Sequence, residues 1–249
     1  MIQKLRKSDL ERYSRQIILK DVSFEGQRKI YNSKVLIVGM GGLGCPVADS
    51  LSRCGIGTLG IVDHDKINLS NLHRQTLYDY NDIGKFKVDV VSKKISKINK
   101  KTRIFKFKTK IDKSNITKII KKFDIIIDGS DNFSTKFLLN KYSIKFKKIL
   151  IVGAISKFDG HLFTFDFKKK NKPCLKCFYQ INPSDDILNC ESEGILSPIG
   201  GIIGNLQSNE ALKKILKFKN TLEGNILIIN LKDLNFRIAK FTKKNRCIC

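Results

Sequence analysis

The sequence predicts a doubly wound α/β fold, in which a largely parallel sheet is extended by antiparallel C-terminal strands and preceded by N-terminal helices. Two observations lead to this prediction. Between residues 34 and 153 short apolar runs alternate with helix-like segments, and after Gly153 segments such as "GHLFTFDF" alternate like antiparallel strands. With 249 residues and no internal repeat or low-complexity linker, we expect residues 1–249 to form a single domain.

The elements follow in three blocks. Residues 1–33 predict helices, with Ser8 as a cap and Gly26 separating two short helices; residues 34–153 predict the parallel half, and residues 154–249 the antiparallel half. The expected strands are 34–39, 58–63, 103–108, 124–128, 149–153, 160–167, 225–230 and 234–241. The expected helices after residue 33 are 43–54, 85–98, 114–121, 133–146 and about 200–218.

The turn "GMGGLG" at residues 39–44 follows a buried strand and opens a helix. Its glycines let backbone N–H groups approach phosphates at a helix N-terminus, which is the Rossmann-like arrangement. Asp63 ends the next strand about twenty residues later, where a carboxylate can accept hydrogen bonds from ribose hydroxyls. These two features predict a nucleotide, but they suit NAD and ATP equally.

The stretch "DHDKINLSNLHRQ" at residues 63–75 adds polar groups that a dehydrogenase does not need. Asn71 and Arg74 lie just past the carboxyl end of the second strand, and Lys87 opens the following helix. A triphosphate carries more charge than the pyrophosphate of NAD, and Arg74 and Lys87 are placed to cover that charge. Arg74 or Lys87 alone would be interpreted as a charge on a solvated face.

The acidic turn "DGSDNF" at residues 128–133 follows another buried strand at the same edge. Asp131 is a candidate Mg²⁺ ligand, since hard cations prefer carboxylate oxygen. The alternative is that Asp131 or Ser130 only caps the helix that begins near Phe133. The three elements together predict a site for Mg-ATP.

Six motifs occur in order along the chain: "RYSRQIIL", "GMGGLG", "LSNLHRQ", "GSDN", "CLKC" and "GGIIGNLQSNEALK". With them the chain resembles the ubiquitin-activating-like adenylyltransferases (HesA/MoeB/ThiF) that act on sulfur-carrier proteins. The resemblance implies ATP-dependent adenylylation of the C-terminal Gly carboxylate of a small ubiquitin-like carrier ending in Gly-Gly, with release of pyrophosphate. A molybdopterin-synthase type of carrier is favoured, and the thiamine-pathway carrier is the alternative.

The resemblance also assigns residue roles. It implies catalytic roles for Asn71, Arg74, Lys87 and Asp131, and an Arg15 that reaches the active site of the neighbouring subunit of a homodimer. At the position of Lys136 the family often has arginine, and we expect the lysine to weaken ATP binding only modestly. The full set expected to bind Mg-ATP is Gly39, Gly41, Gly42, Gly44, Asp63, Asp65, Ser70, Asn71, Arg74, Gln75, Lys87, Asp131 and Asn132.

Four of the seven cysteines form two pairs. Cys174 and Cys177 are spaced so that two thiolates can converge on one tetrahedral ion, and Cys247 and Cys249 end the sequence. The resemblance assigns all four to a structural Zn²⁺. The second pair departs from the family pattern, because it is C-x-C where C-x-x-C is usual.

Cys190, in "LNCESEG", is the candidate covalent site if the protein is of the thiamine type. Its neighbours Glu191 and Glu193 would raise the pKa of the thiol, which weighs against strong reactivity. Cys45 and Cys54 fall on the helix after the glycines and are expected in the core.

The net charge of +25 and the pI near 9.8 raise nucleic-acid binding as a possibility, but the lysines are spread through nearly every segment. We therefore expect no nucleic-acid partner, and a basic surface that suits an acidic carrier. No apolar run reaches the roughly 20 residues of a membrane span, so a cytoplasmic protein is expected. A cysteine desulfurase or a rhodanese is the candidate sulfur donor. The two other function classes are an NAD-dependent oxidoreductase and a non-catalytic scaffold.

Overall fold

The computed structural model describes residues 6–179, 194–245 and 247. In this part of the chain the strands form one eight-stranded sheet. The strand order is β3-β2-β1-β4-β5-β6-β7-β8; the first five strands are parallel, and β6, β7 and β8 are added antiparallel. The strands are β1 Lys34–Val38, β2 Thr58–Val62, β3 Arg103–Phe107, β4 Ile125–Asp128, β5 Ile149–Ser156, β6 Asp159–Asp166, β7 Asn225–Asn230 and β8 Asn235–Lys240. The predicted fold class is confirmed.

The central strands are apolar on both faces because helices cover both sides of the sheet. In β1, Val35 and Ile37 join one buried cluster, and Leu36 and Val38 join the other. This is the two-residue period of a strand, since successive side chains point to opposite faces. Each fully buried aliphatic side chain contributes about 1.5–3 kcal/mol of hydrophobic stabilisation.

The helices fall into two layers. Helices α3, α4, α5 and α9 supply the cluster that contains Val35, and α6, α7 and α8 supply the other. Two short 3₁₀ turns, Leu69–Asn71 and Tyr80–Asp82, lie between β2 and α5. The helices are α1 Lys7–Arg12, α2 Ser14–Ile17, α3 Ser23–Tyr31, α4 Gly44–Arg53, α5 Lys87–Ile98, α6 Ile116–Ile120, α7 Phe133–Lys145, α8 Leu175–Phe178 and α9 Ser197–Leu216.

Two details of the N-terminal prediction are wrong. Ser8 is not the cap of α1: the helix is preceded by Arg6, whose backbone N–H donates to Asp9 Oδ2 at 2.8 Å. Gly26 does not separate two helices but lies inside α3, where a Cβ atom would come within 2.8 Å of Leu216 Cδ2. The absence of a side chain at Gly26 lets α9 pack closely against α3. The break between α2 and α3 falls at residues 18–22.

The strand order reverses between β1 and β4, which run parallel side by side while their crossover connections leave in opposite directions. In open α/β sheets, ligands bind outside the carboxyl ends of the strands at such a point. Gly39 follows β1, Asp63 follows β2 and Gly129 follows β4, so all three sequence motifs reach this edge. In the part of the chain that the structure describes, no helix is both long enough and apolar enough to span a membrane.

Candidate active site

A cleft of about 470 Å³ lies at the carboxyl edge of β1, β2 and β4. The structure brings most of the predicted nucleotide-binding residues to its wall and leaves Gly44 and Ser70 outside it. The predicted residues that line the cleft are Gly39, Gly41, Gly42, Asp63, Asp65, Asn71, Arg74, Gln75, Lys87, Asp131 and Asn132.

The glycine-rich turn depends on close backbone approach. Gly39 has φ +88°, and a Cβ atom there would lie 2.7 Å from Gly129 O. A Cβ atom on Gly44 would lie 1.9 Å from Gly39 O, so this residue closes the turn onto the first turn of α4 even though it does not line the cleft. The backbone N–H groups at the start of α4 are therefore available to an anionic ligand.

Asp63 is buried at the end of β2 and ties the glycine turn to that strand. Its Oδ2 accepts from the Met40 N–H at 2.7 Å and its Oδ1 from the Asp65 N–H at 2.8 Å. Burial raises the pKa of Asp63, and the nearby Lys87 ammonium opposes that effect. Each carboxylate oxygen keeps a second acceptor position, which leaves the predicted ribose contacts chemically feasible.

Lys87 begins α5 and is only 6% exposed. Its Nζ lies 2.8 Å from Oδ2 of Asp65, whose side chain is 48% exposed. Arg74 is held differently: its Nη1 donates to Ser70 O at 2.9 Å and lies 2.8 Å from His73 Nε2. Ser70 thus orients Arg74 through its carbonyl instead of lining the cleft.

Two amides complete this wall of the cleft. Asn71 Oδ1 accepts from the Asn68 N–H at 3.1 Å, which fixes the turn that carries Arg74. Gln75 is buried, and its Oε1 has no hydrogen-bond partner among the described residues. Its Nε2 lies 3.6 Å from the position of a Cβ atom on Gly41. A buried acceptor left unpaired is unfavourable unless a ligand or water satisfies it.

The acidic turn supplies the opposite wall. Asn132 caps α7, because its Oδ1 accepts from the Thr135 N–H at 2.8 Å. The alternative that Ser130 or Asp131 is the cap is therefore wrong. Asp131 is exposed at the cleft, and its Oδ1 accepts from Asn132 Nδ2 at 3.2 Å.

Sequence reasoning missed several residues that line the cleft. Lys110 and Ile111 come from the segment after β3, and Thr135 from the first turn of α7. Ile111 is buried and, with Val38 and Val62, forms an apolar part of the wall. The signal was present, since Lys110 and Ile111 follow a parallel strand at the same carboxyl edge.

Arg15 lies on α2, is exposed, and does not line the cleft of its own chain. Cys45 is fully buried in the core, as predicted, and burial raises the pKa of its thiol to about 12. Cys54 is half-buried. Cys190 lies outside the described residues.

Three of the four predicted zinc ligands converge. The sulfur atoms of Cys174 and Cys247 are 3.5 Å apart, and those of Cys174 and Cys177 are 4.0 Å apart. Tetrahedral Zn–S bonds of about 2.3 Å require sulfur separations near 3.8 Å, so the cluster fits Zn²⁺ in ligand type and spacing. Cys249 lies outside the described residues.

The chain matches the model of the ThiF family over residues 13–249. It belongs to the ThiF family. Among its relatives are the probable molybdopterin-synthase adenylyltransferase of Porphyra purpurea, 41% identical over 92% of this chain and 60% of that protein. The adenylyltransferase and sulfurtransferase MOCS3 of Drosophila persimilis is 38% identical over 98% of this chain and 54% of that protein. This ThiF-family chain thus spans about half to three-fifths of the length of these relatives.

Solved structures agree with the fold. The E. coli MccB structure with ATP has a TM-score of 0.82 at 24% identity, covering 95% of this chain and 73% of that one. The PaaA structure has a TM-score of 0.81 at 24% identity, covering 98% and 77%. The fold shared with these two structures therefore extends through the antiparallel strands as well as the parallel half.

Proposed function

We propose that this ThiF-family protein adenylylates the C-terminal Gly carboxylate of a small ubiquitin-like sulfur carrier, with a molybdopterin-synthase type of carrier favoured. The observation that carries the proposal is the joint placement of the glycine turn, Arg74, Lys87 and Asp131 around one cleft. The names of relatives at 38–41% identity support the same reaction. We further propose that residues 1–249 work as one adenylyltransferase unit.

The reaction makes one bond and breaks one. A carboxylate oxygen of the carrier bonds to the α-phosphorus of ATP while the bond to the bridging oxygen breaks, and pyrophosphate leaves with the electron pair. The carboxylate is already ionised at neutral pH, so the reaction needs no general base. The protein has to align the two anions and offset their repulsion.

The cleft residues provide these two effects. Arg74 and Lys87 would pair with the phosphate oxygens, and Asn71 would hold the turn on which Arg74 sits. Asp63 and Asp65 would orient the ribose and Lys87, respectively. When bound at Asp131, Mg²⁺ would shield the phosphate charge.

We propose a homodimer in which Arg15 serves the partner's cleft. Its exposure and its position outside its own cleft support this arrangement. Two inactive variants, Arg15→Ala and Lys87→Ala, test it when mixed and allowed to exchange subunits. Recovery of roughly a quarter of the wild-type activity is expected, because half of the dimers are mixed and each has one intact site. No recovery after demonstrated exchange would place Arg15 elsewhere.

We propose that Cys174, Cys177, Cys247 and Cys249 hold one structural Zn²⁺. The convergence of the first three sulfur atoms, with Cys174 and Cys177 buried, supports the site. We expect one zinc per chain, lost in Cys174→Ser together with a fall in melting temperature, by metal analysis and thermal denaturation. Cys45→Ser, a thiol in the core, is the control that should keep its zinc.

Exposed apolar side chains at the last strand support a carrier site in the antiparallel half. Leu234, Phe236 and Ile238 are exposed on or beside β8, where an apolar carrier surface could pack, and the net charge of +25 suits an acidic carrier. We propose a cytoplasmic setting with a cysteine desulfurase or a rhodanese as the sulfur donor, and neither nucleic acid nor membrane as a partner. The thiamine-type alternative would add a covalent step at Cys190.

ATP–pyrophosphate exchange with labelled pyrophosphate tests the reaction. Exchange should require a carrier that ends in Gly-Gly, and the carrier that supports it identifies the pathway. Asp131→Ala should abolish exchange, whereas Asp124→Ala, at the opposite end of β4, should retain it. Absence of exchange with every carrier, in protein that binds ATP, would reject the proposal.

A further inference from the structure

Lys136 is a fully buried lysine in α7, at 1% exposure. Its ammonium donates to Gly153 O at 2.7 Å and Ser130 O at 2.8 Å, and it lies 3.4 Å from Asp128 Oδ2. A lysine is rarely buried without such pairing, because removing an unpaired ammonium from water is strongly unfavourable. Three acceptors therefore surround this ammonium: two on the acidic turn and one, the Gly153 carbonyl, on β5.

Asp128 ends β4 and ties the other side of the same turn. Its Oδ1 accepts from the Ser130 N–H at 2.9 Å and the Ser130 hydroxyl at 2.6 Å. Gln207 of α9 donates from Nε2 to Asp128 O at 2.7 Å. The residues between Asp128 and Asn132 are therefore held from β4, β5, α7 and α9 at once.

The turn packs directly on the glycine-rich turn. The Gly129 N–H donates to Val38 O at 2.8 Å, and Gly39 can approach Gly129 O only because it lacks a Cβ atom. A change in the position of the acidic turn would alter its distance from the phosphate-binding backbone. Asp131 is the next residue after Ser130, whose carbonyl receives the Lys136 ammonium.

We propose that Lys136 is a positioning residue, which sets the acidic turn, and with it Asp131, at the place that Mg-ATP requires. Lys136 does not line the cleft itself, so it acts through the Ser130 and Gly153 carbonyls and the Asp128 carboxylate. The inference rests on the proposed function, since Asp131 matters here as the Mg²⁺ ligand.

The test measures ATP affinity by calorimetry as a function of Mg²⁺ concentration, without any carrier. Lys136→Met should raise the Mg²⁺ concentration for half-maximal ATP binding by about tenfold, the cost typical of losing a residue that orients a metal ligand. Lys136→Arg, which keeps the charge and the donors, should stay near the wild type. Lys141→Met, an exposed lysine on the same helix, should match the wild type.

A second pair of variants separates positioning from folding. Lys136→Met leaves the Asp128 charge buried, and Asp128→Asn in the same chain removes that charge. If the double variant recovers the wild-type Mg²⁺ dependence, Lys136 only neutralises Asp128 and the proposal is overturned. The expected result is a folded double variant that still requires more Mg²⁺, because the ties to Ser130 O and Gly153 O remain absent.

A double-mutant cycle with Asp131→Asn shows whether Lys136 acts through Asp131. The effect of Lys136→Met on Mg²⁺ dependence should disappear in the Asp131→Asn background, whereas an equal effect in both backgrounds would refute the proposal. Wild type that binds Mg-ATP but exchanges no pyrophosphate with any carrier would reject the proposed function alone. Wild type whose ATP binding ignores Mg²⁺ would overturn the proposal for Lys136 and leave the proposed function to the exchange assay.

Discussion

The parallel and antiparallel halves of the sheet bury positive charge in different ways. Lys87, at the cleft, is paired with one carboxylate, Asp65, which is itself half-exposed. The Nζ of Lys214, on α9, lies 2.7 Å from Asp166 Oδ2 and also contacts Glu223 Oε1. All three side chains are largely buried. A cation with one partner beside a cleft can still pair with a ligand, whereas a cation between two carboxylates is satisfied by the protein itself. The comparison therefore predicts that Lys87 contributes to ligand binding and that Lys214 contributes to the stability of the fold.

The largest effect is expected for Lys87→Ala. Loss of a cation that pairs with phosphate should lower the rate of pyrophosphate exchange by roughly 10²–10³-fold. The free energy of unfolding should fall by about 1 kcal/mol, because Asp65 can be solvated by water, while the buried Asp63 loses a nearby cation but keeps its two backbone N–H donors. Exchange assays and chemical denaturation check the two expectations.

Lys85→Ala is the matched control, because Lys85 is an exposed lysine two residues before Lys87, with its Nζ 3.5 Å from Asp82 Oδ1. It should leave both quantities close to the wild type. A Lys87→Ala variant that unfolds readily but exchanges pyrophosphate normally would reverse the comparison.

For Lys214→Met we expect the opposite result. Removing this ammonium leaves Asp166 and Glu223 close together without their shared cation, at a cost of about 3 kcal/mol in the free energy of unfolding. Pyrophosphate exchange under conditions where the variant is folded should be unchanged. Chemical denaturation measures the loss, with Lys219→Met, at an exposed lysine, as the control. A loss of exchange activity in folded protein would show that the antiparallel half contributes to the cleft chemistry.

Acid should weaken the same network by a smaller amount, about 1 kcal/mol. Burial alone would raise the pKa of Glu223, but hydrogen bonds from Lys169 and Lys214 outweigh it and hold the pKa below the ordinary value. The stability from a lowered carboxylate pKa is present above the unfolded-state pKa, near 4.3, and is lost as the pH falls through the folded-state pKa.

The measurement is the free energy of unfolding of wild type and Glu223→Gln at pH 7, 5, 4 and 3. The difference between the two proteins should be constant down to about pH 5 and shrink below pH 4.3. A difference that stays the same at pH 3 would mean that the ionised form of Glu223 adds no stability.

The sequence predicted the sheet and most of the cleft for one physical reason. Parallel strands that alternate with helices all end at one edge, so residues that follow β1, β2 and β4 must meet there, as Gly39, Asp63 and Asp131 do. What it missed depends on tertiary contacts. Gly26 could not be recognised as an interior helix residue, because its reason is the side chain of Leu216 on a helix distant in sequence.

The burial of Lys136 left a weak signal in the sequence. Phe133, Lys136, Phe137 and Asn140 follow the i, i+3, i+4, i+7 spacing of a buried helix face, and all four are buried. Of the lysines in α7, Lys136 is the one that occupies a position of this buried face. The resemblance to the family marked the position, but not the burial or the three acceptors that explain it.

The smallest effect is expected for Lys136→Arg. Arginine keeps the charge that balances Asp128 and adds a planar fork of donors, while the residue still does not touch the nucleotide. ATP affinity should therefore change by less than about threefold, under 1 kcal/mol, when measured by calorimetry at saturating Mg²⁺. Lys141→Arg on the exposed face of α7 controls for the longer side chain. A change of tenfold or more would mean that the length of the side chain at residue 136, and not only its charge, sets the position of the acidic turn.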